Sequence, residues 1–450
     1  MINVEQLQED IANKNITDIN KLLDDYHEAD IAEVFEELTT YEMVFLLRIL
    51  ETDLAAEVFY FLESDLKEKI IDAYSSQEIS EMIDSLYSDD IVDMVDEMPA
   101  NIQKKILKNI PREKRDLVNA LLMYDDDLAG SIMTIEFLEI KDYDTCGEAL
   151  RKIKAQAGEV EYVDYIYVID KYHELVGGIT IKDLIIYSDD SIIDDIMDSN
   201  QMSVNAMDNI EDAIDMIRKY DYTSVPVLNH ENRLIGIITM DDIFDAMDEE
   251  ATEDIHKMAA VSPIEESYKK ISIFKMYRNT IGWLLILMIT ATLTQTVMQK
   301  YDDVLAASAA LALYIPMLMN TGGNAGGQSS TIVIRALVLN EIDTKDFFYV
   351  IKKELGTAIL LGVTLAAVNL VRMYIIGGFV LPDFKVAAVI TFTIIFTVAM
   401  AKSIGGILPL VAQLFKQDPA VMAGTLISTI VDALTLVVYF NLAKLILNVV

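Results

Sequence analysis

The chain has one cysteine, one tryptophan, four histidines and eight prolines among 450 residues. A lone Cys146 excludes an internal disulfide and points to a reducing compartment. The scattered histidines and the single cysteine give no zinc-ligand spacing. Basic residues are scarce too: 35 Lys+Arg stand against 73 Asp+Glu, a net charge of −38. Such acidity excludes nucleic acid as a partner, because phosphates need a basic face, and it opposes docking on anionic lipid. It favours cations. The opening "MINVEQLQED" has no basic stretch followed by an apolar one, so no cleaved leader is predicted.

What the chain has in abundance is apolar residues. At 52% hydrophobic and a mean hydropathy of +0.30 it is too apolar for an ordinary soluble protein. Ionised groups are expelled from hydrocarbon, so the charge must be segregated, and it is. Residues 1–270 hold 64 Asp+Glu against 23 Lys+Arg, while 271–450 hold 9 against 12. The fold class expected is a multidomain membrane protein with an acidic soluble half.

From Asp24 to Leu122 apolar residues recur at helical spacing, and "ADIAEVFEEL", "DLAAEVFYFL" and "DDIVDMVDEM" resemble one another loosely. This predicts an α-helical superhelical N-terminal domain over 1–130. After "DDDLAGSIM" the period changes, and two copies of helix, strand, turn, strand follow, closing on "GGITIKD" and "GIITMDD". The duplication is similar to tandem α+β CBS domains, placed at 131–190 and 191–248. In each, a Thr and an Asp at a helix start (Thr180 and Asp183; Thr239 and Asp242) either cap the helix or, as the CBS likeness implies, hold an adenine nucleotide. Residues 249–278 read as a connecting helix leading into the bilayer, and 279–450 as a five-helix all-α transmembrane domain.

Five runs reach the roughly 20 residues that a span needs: about 281–299, 304–334, 355–377, 386–411 and 420–447. Lys269, Lys270, Lys275 and Arg278 precede the first; Arg335, Lys345, Lys352 and Lys353 follow the second; Lys416 follows the fourth. The bias toward basic residues in these connections predicts a cell-membrane protein with a cytoplasmic N-terminus and an extracytoplasmic C-terminus. Asp432 falls mid-span, with Ser428 and Leu436 one turn either side, so no intrahelical ion pair neutralises it. Lys402 is the other mid-span charge, expected either to pair with Asp432 or to extend toward the cytoplasmic edge.

"TGGNAGGQSS" interrupts the second run. It lacks the lysine of a phosphate-binding loop, and Pro316 with the glycines is expected to free backbone groups that must be buried in protein or line water. Gly322, Gly323, Asn324 and Gln328, with Ser428 and Thr429, are the pore-lining candidates.

Taken together, Pro316, "GGNAGGQS", "LPLVAQLFKQDPAV", Asp432, "EEATEDIHKMA", the CBS pair and the acidic helical domain resemble the MgtE family of magnesium transporters. That resemblance implies a homodimer in membrane lipid, not an enzyme, with a Mg²⁺-selective, channel-like pore around Asp432. It further implies that cytosolic Mg²⁺ closes the pore by binding between acidic surfaces and a connecting plug helix. Carried over by motif, the sensing carboxylates are Asp89, Asp90 and Glu57; Glu211, Asp221, Asp242 and Asp245; and Glu250, Glu253 and Asp254. Thr425 stands where many members have proline, and Lys402 where a small or polar residue is expected. An intramembrane protease would need two aspartates and a Gly-x-Gly-Asp, which is absent. A membrane-anchored CBS regulator without transport would leave the glycine, asparagine and aspartate constellation unused.

Overall fold

The computed structural model describes residues 2–448 except 97, 159, 161, 265–267, 269–270, 377–382 and 423, and describes the side chains of these apart from 113, 307, 309 and 422. Lys269 and Lys270 lie outside the described residues. The chain divides into two compact units, residues 1–247 and 248–450.

Ten helices open the first unit among the described residues: α1 (Val4–Asn13), α2 (Ile16–Leu23), α3 (Glu28–Val34), α4 (Thr40–Ile49), α5 (Thr52–Tyr60), α6 (Ser64–Ala73), α7 (Ser76–Asp84), α8 (Ser88–Asp96), α9 (Ala100–Asn109) and α10 (Arg112–Leu121). Their boundaries are written locally. Thr39 with Glu42 and Ser75 with Glu78 form capping boxes that satisfy orphan N–H groups at the starts of α4 and α7. Each helix buries one apolar stripe, such as Ile79, Met82 and Ile83 of α7. Helices too short to stand alone are held by that shared core.

The duplicated segment gives two small sheets. In the first, β1 (Phe137–Lys141) runs parallel to β2 (Tyr162–Ile169), which pairs antiparallel with β3 (Leu175–Thr180) in the register Val168↔Gly177. In the second, β4 (Val204–Asn205), β5 (Ser224–Leu228) and β6 (Leu234–Thr239) repeat the order, with Val227↔Gly236. The leading strands β1 and β4 extend the repeat expected from sequence. Helices α11 (Cys146–Gln156), α12 (Ile181–Ile186) and α13 (Ile210–Tyr220) complete the copies. Tyr167 and Ser224, 2.7 Å apart through their hydroxyls, and the apolar group Tyr167, Ile169, Leu234 and Ile237 join them.

Helix α14 (Met240–Met258) begins at the close of the second copy. The expectation of one helix over 249–278 is corrected here: helix ends at Met258, and Ala260 adopts a positive φ of 55°. In the second unit follow α15 (Ile273–Lys300), α16 (Asp302–Ala307), α17 (Ile315–Val338), α18 (Phe347–Ile376), α19 (Phe384–Leu414) and α20 (Thr425–Leu447). Among the described residues α15, α18, α19 and α20 are long and apolar enough to cross a membrane. Helix α17, about 36 Å long at 1.5 Å per residue, is long enough but diluted by its glycines. It packs against both α19 and α20, which also touch each other, and α18 packs on α19.

The glycine stretch is therefore not an interruption: 321–330 is continuous helix inside α17. Pro316 sits in its first turn, where a missing N–H leaves nothing unsatisfied. The glycines act through proximity instead. A Cβ on Gly405 of α19 would lie 2.2 Å from the Gly326 carbonyl oxygen of α17, so the two backbones touch and neither position admits a larger residue.

Candidate functional site

In the first unit the acidic residues gather around Tyr60. Asp89 and Asp90 stand in the first turn of α8, where the helix dipole favours a carboxylate. Asp89 is buried, and Asp90 accepts the Tyr87 N–H at 3.3 Å. Asp242, in the first turn of α14, accepts the Thr239 hydroxyl at 2.5 Å. Burial pushes the Asp90 carboxyl up to about 7, with Asp242 and Asp241 adding to the shift and Lys67 opposing it. Asp242 is raised to about 6, again chiefly by burial, with Asp241 and Asp245 contributing. Burial and the charges of Asp90, Asp93, Asp242 and Asp245 raise the Tyr60 hydroxyl. Two chain segments far apart in sequence thus crowd carboxylates that repel one another into partly buried space. A hard divalent cation relieves that repulsion, and the all-oxygen donor set suits Mg²⁺, which keeps most of its waters.

The other sensing candidates stand apart from this group. Glu57 is exposed at its edge, and partial desolvation of its carboxyl, then the charges of Glu28 and Asp53, raise it. Glu211 and Asp221 mark opposite ends of α13, about 15 Å apart along its axis, so one ion cannot take both. Among the described residues, no three His, Cys, Asp or Glu side chains form a ready cage for a dehydrated metal. The Thr180 hydroxyl is 2.6 Å from an Asp183 carboxylate oxygen and accepts the Asp183 N–H at 3.1 Å. Thr239 and Asp242 repeat the hydroxyl-to-carboxylate contact. Each pair closes its own helix turn.

In the second unit a recess of about 590 Å³ is lined by Gly323, Asn324, Gly327, Gln328, Thr331 and Ile332 of α17, with Gly424 and Ser428 at the start of α20 and Met258 at the end of α14. Asn320, Asn324 and Gln328, one turn apart, form an exposed polar stripe on α17, and the Asn324 amide donates to Asn320 at 3.2 Å. Ser428 faces Gly323 across the gap, and Asp432 follows one turn along α20, partly exposed. Among the described residues Asp432 makes no ion pair and no hydrogen bond. Thr429 donates to the Thr425 carbonyl of its own helix. Gly322 faces away from the recess, against Thr397, Val431 and Thr435.

The end of α14 is fixed at this recess. Lys257 Nζ lies 2.8 Å from Glu253 and 2.8 Å from Asp418. Burial pulls its pKa down, but the hydrogen bonds to Asp418 and Glu253 outweigh this and hold it above the usual lysine value. Asp254 is raised by burial and by the Asp418 charge. Gly424 has φ +48°, and a Cβ there would sit 2.7 Å from the Met258 carbonyl oxygen. Glu250, Glu253 and Asp254 are all partly buried on this same stretch.

Lys402 does not pair with Asp432. Its Nζ is 3.2 Å from Glu354 of α18, and both side chains are at most 9% exposed. Glu354 is not expected from the sequence because it falls one residue before the apolar run 355–377. A mid-span lysine needing a counter-ion was the signal for it. Met258 and Lys257 were missed because a methionine and a lysine on an acidic helix carry no pattern of their own.

An acidic module with a CBS pair, joined to apolar helices whose polar flank carries an aspartate unpaired among the described residues, defines a membrane protein of the cation-transport class. The sequence family MgtE, described as divalent cation transporter, matches residues 315–442; the MgtE intracellular N domain matches 26–127, and CBS domains match 129–190 and 193–249. The chain belongs to the MgtE family of magnesium transporters. It is similar to magnesium transporter MgtE of Thermus thermophilus, 35% identical over 79% of this chain and 77% of that one. It is also similar to that of Enterococcus faecalis, 32% identical over 74% and 72%. The soluble part of a magnesium transporter, solved by crystallography, superposes with a TM-score of 0.52 at 31% identity, over 55% of this chain and 98% of that one. The cytosolic domain of the Mg²⁺ channel MgtE in complex with ATP gives 0.51 at 27% identity, over 54% and 100%. The chain is thus a Mg²⁺ transporter and not an enzyme.

Proposed function

We propose that this chain conducts Mg²⁺ passively into the cytoplasm along the polar face shared by α17 and α20, and that cytosolic Mg²⁺ closes the path. The observation that carries this reading is the exposed stripe of Asn320, Asn324 and Gln328, near Ser428 and Asp432 of α20. Amide oxygens, a hydroxyl and a carboxylate can hold the hydrated ion through its waters. A homodimer brings two copies of this face together and two Asp432 carboxylates to one axis. A membrane potential worth about 2.3 kcal/mol per charge per 100 mV then drives the ion inward. With five spans, α15 and α17–α20, the termini lie on opposite sides of the membrane, and the basic connections orient the acidic unit toward the cytoplasm.

Closure follows from the carboxylates. Asp89, Asp90, Asp242 and Asp245, with Glu57, Glu211, Asp221, Glu250, Glu253 and Asp254, are the sensing set. A bound Mg²⁺ supplies the positive charge that lets such surfaces approach. Met258, already lining the recess beside Asn324 and Ser428, is the part of the plug helix that obstructs the path.

Mg²⁺ flux into liposomes holding the purified protein tests this. Asp432→Ala is expected to abolish flux, and wild-type flux in that variant would remove the pore assignment. A second reading concerns the CBS pair, where Thr180, Asp183, Thr239 and Asp242 recur at matching helix starts and a relative's cytosolic domain holds ATP. An adenine nucleotide bound there should protect the protein thermally, and Asp183→Ala should remove the protection; unchanged melting with ATP would exclude it.

A further inference from the structure

Taking the α17–α20 face as the transport path, we propose that Glu354, Lys402 and Ser329 form a lock that sets the rotation of α17 about its own axis, and so aims Asn324 and Gln328 into the recess. The lock joins three helices. Ser329 Oγ of α17, fully buried, lies 2.5 Å from the Glu354 carboxylate of α18 and 2.9 Å from the Lys402 carbonyl of α19, and Lys402 Nζ closes the triangle on Glu354 at 3.2 Å.

Between its large buried side chains, Leu318 before and Val333, Ile334 and Leu337 after, the middle of α17 offers little to grip. Between Thr321 and Gln328 it carries four glycines and Ala325, and a helix face without side chains has no ridges to seat in a neighbour's grooves. Close approach at Gly326 and Gly405 holds it near α19, and the polar contacts of Ser329 add a directional constraint to that packing. The same approach lets a side chain as short as serine reach the ion pair. Gly406 completes the fit, since a Cβ there would stand 3.0 Å from Glu354 Cγ and 3.5 Å from Ser329 Oγ.

The direction follows from helix geometry. Successive residues turn by about 100°, so Gln328 points about 100° and Asn324 about 140° away from Ser329. Drawing Ser329 into the buried pair therefore aims the two amides at the opposite flank, where the recess lies. A buried ion pair is weak as a source of stability, because apolar residues of the same volume often do as well. Here it supplies direction: the charges cannot leave each other, and the serine cannot turn without losing both partners.

The test reads position separately from transport, so a failure of the transport reading leaves it intact. In full-length protein carrying Cys146→Ser, single cysteines at Asn324→Cys or Ala325→Cys are labelled with a water-soluble thiol reagent. With the lock whole, position 324 should react and buried 325 should not. Ser329→Ala, which keeps the ion pair, and Glu354→Gln are each expected to slow labelling at 324 and speed it at 325 by about tenfold. The exchange Glu354→Lys with Lys402→Glu should restore the native pattern. In liposomes Ser329→Ala should lower Mg²⁺ flux and the preference for Mg²⁺ over Ca²⁺, whereas Asp432→Ala stops flux with labelling unchanged. Unaltered labelling at both positions in folded Ser329→Ala protein would overturn the proposal, whatever becomes of Glu354→Gln.

Discussion

Raising the pH without Mg²⁺ should loosen the acidic unit, and the structure gives the size of the effect. Asp90 and Asp242 have carboxyls raised from an ordinary 3.8 to about 7 and about 6. Because the folded form holds these protons more tightly than the unfolded chain, their contribution to stability is full below about pH 4 and fades as pH rises through 6 and 7. At 1.36 kcal/mol per pH unit, Asp90 alone accounts for roughly 4 kcal/mol and Asp242 for about 3. The two share one field, so their sum is an upper bound. For a unit of 247 residues, about 4 kcal/mol corresponds to a melting shift on the order of 10 °C. A divalent cation at these carboxylates replaces the lost protons, so Mg²⁺ should raise the melting temperature by that order at pH 8 and by little at pH 5. Full-length protein in detergent, melted with and without Mg²⁺ at both values, reads this directly. Asp90→Asn should melt higher than wild type at pH 8 without Mg²⁺ and lose most of the Mg²⁺ response. An equal Mg²⁺ shift at pH 5 and pH 8, or an Asp90→Asn protein that melts lower, would refute the reasoning.

Further tests address the second unit. Lys257→Met removes the bridge from Glu253 to Asp418; losing about 1 kcal/mol at this partly exposed site should raise the internal Mg²⁺ needed for closure about fivefold in flux assays. Gly424→Ala adds strain of about 1–3 kcal/mol at a positive-φ residue outside the helical regions and pushes a methyl at the Met258 carbonyl, so leak at high Mg²⁺ should increase. Asn324→Leu should cut flux while leaving α17 packed; normal flux would reduce the stripe to a packing surface.

Much of this architecture was legible because it rests on periodicity. The change from helical spacing to strand alternation near residue 130, the twin "GGITIKD" and "GIITMDD" closes, and the apolar runs after 281 correspond to elements, except that the run 304–334 divides into α16, a 3-10 turn and α17. The glycine stretch misled, because glycine is weak in helices of soluble proteins, whereas here it lets α17 and α19 touch. Asp432 stood out as a charge with no neighbour, and it keeps that character among the described residues. Glu354 did not stand out, since a carboxylate next to Lys352 and Lys353 at a span edge resembles a solvated end. What joins it to Lys402 is tertiary, and no local pattern records it. The crowding of Asp90 against Asp242 is likewise invisible along the chain, for the two lie in different domains of the sequence.

The buried pair also bears on how the membrane half is made. Glu354 leaves the ribosome well before Lys402, so α18 must wait with its carboxylate unneutralised until α19 arrives. A lone charge at a helix centre is disfavoured by about 2.5–3.5 kcal/mol on insertion scales, and Glu354 lies in the first third of α18 rather than at its centre. Lys402 of α19 lies at the same depth, its Nζ 3.2 Å from that carboxylate, and its arrival supplies the missing counter-charge. The order of the two charges in the chain is thus also an order of assembly, in which α18 and α19 enter the final bundle as a pair.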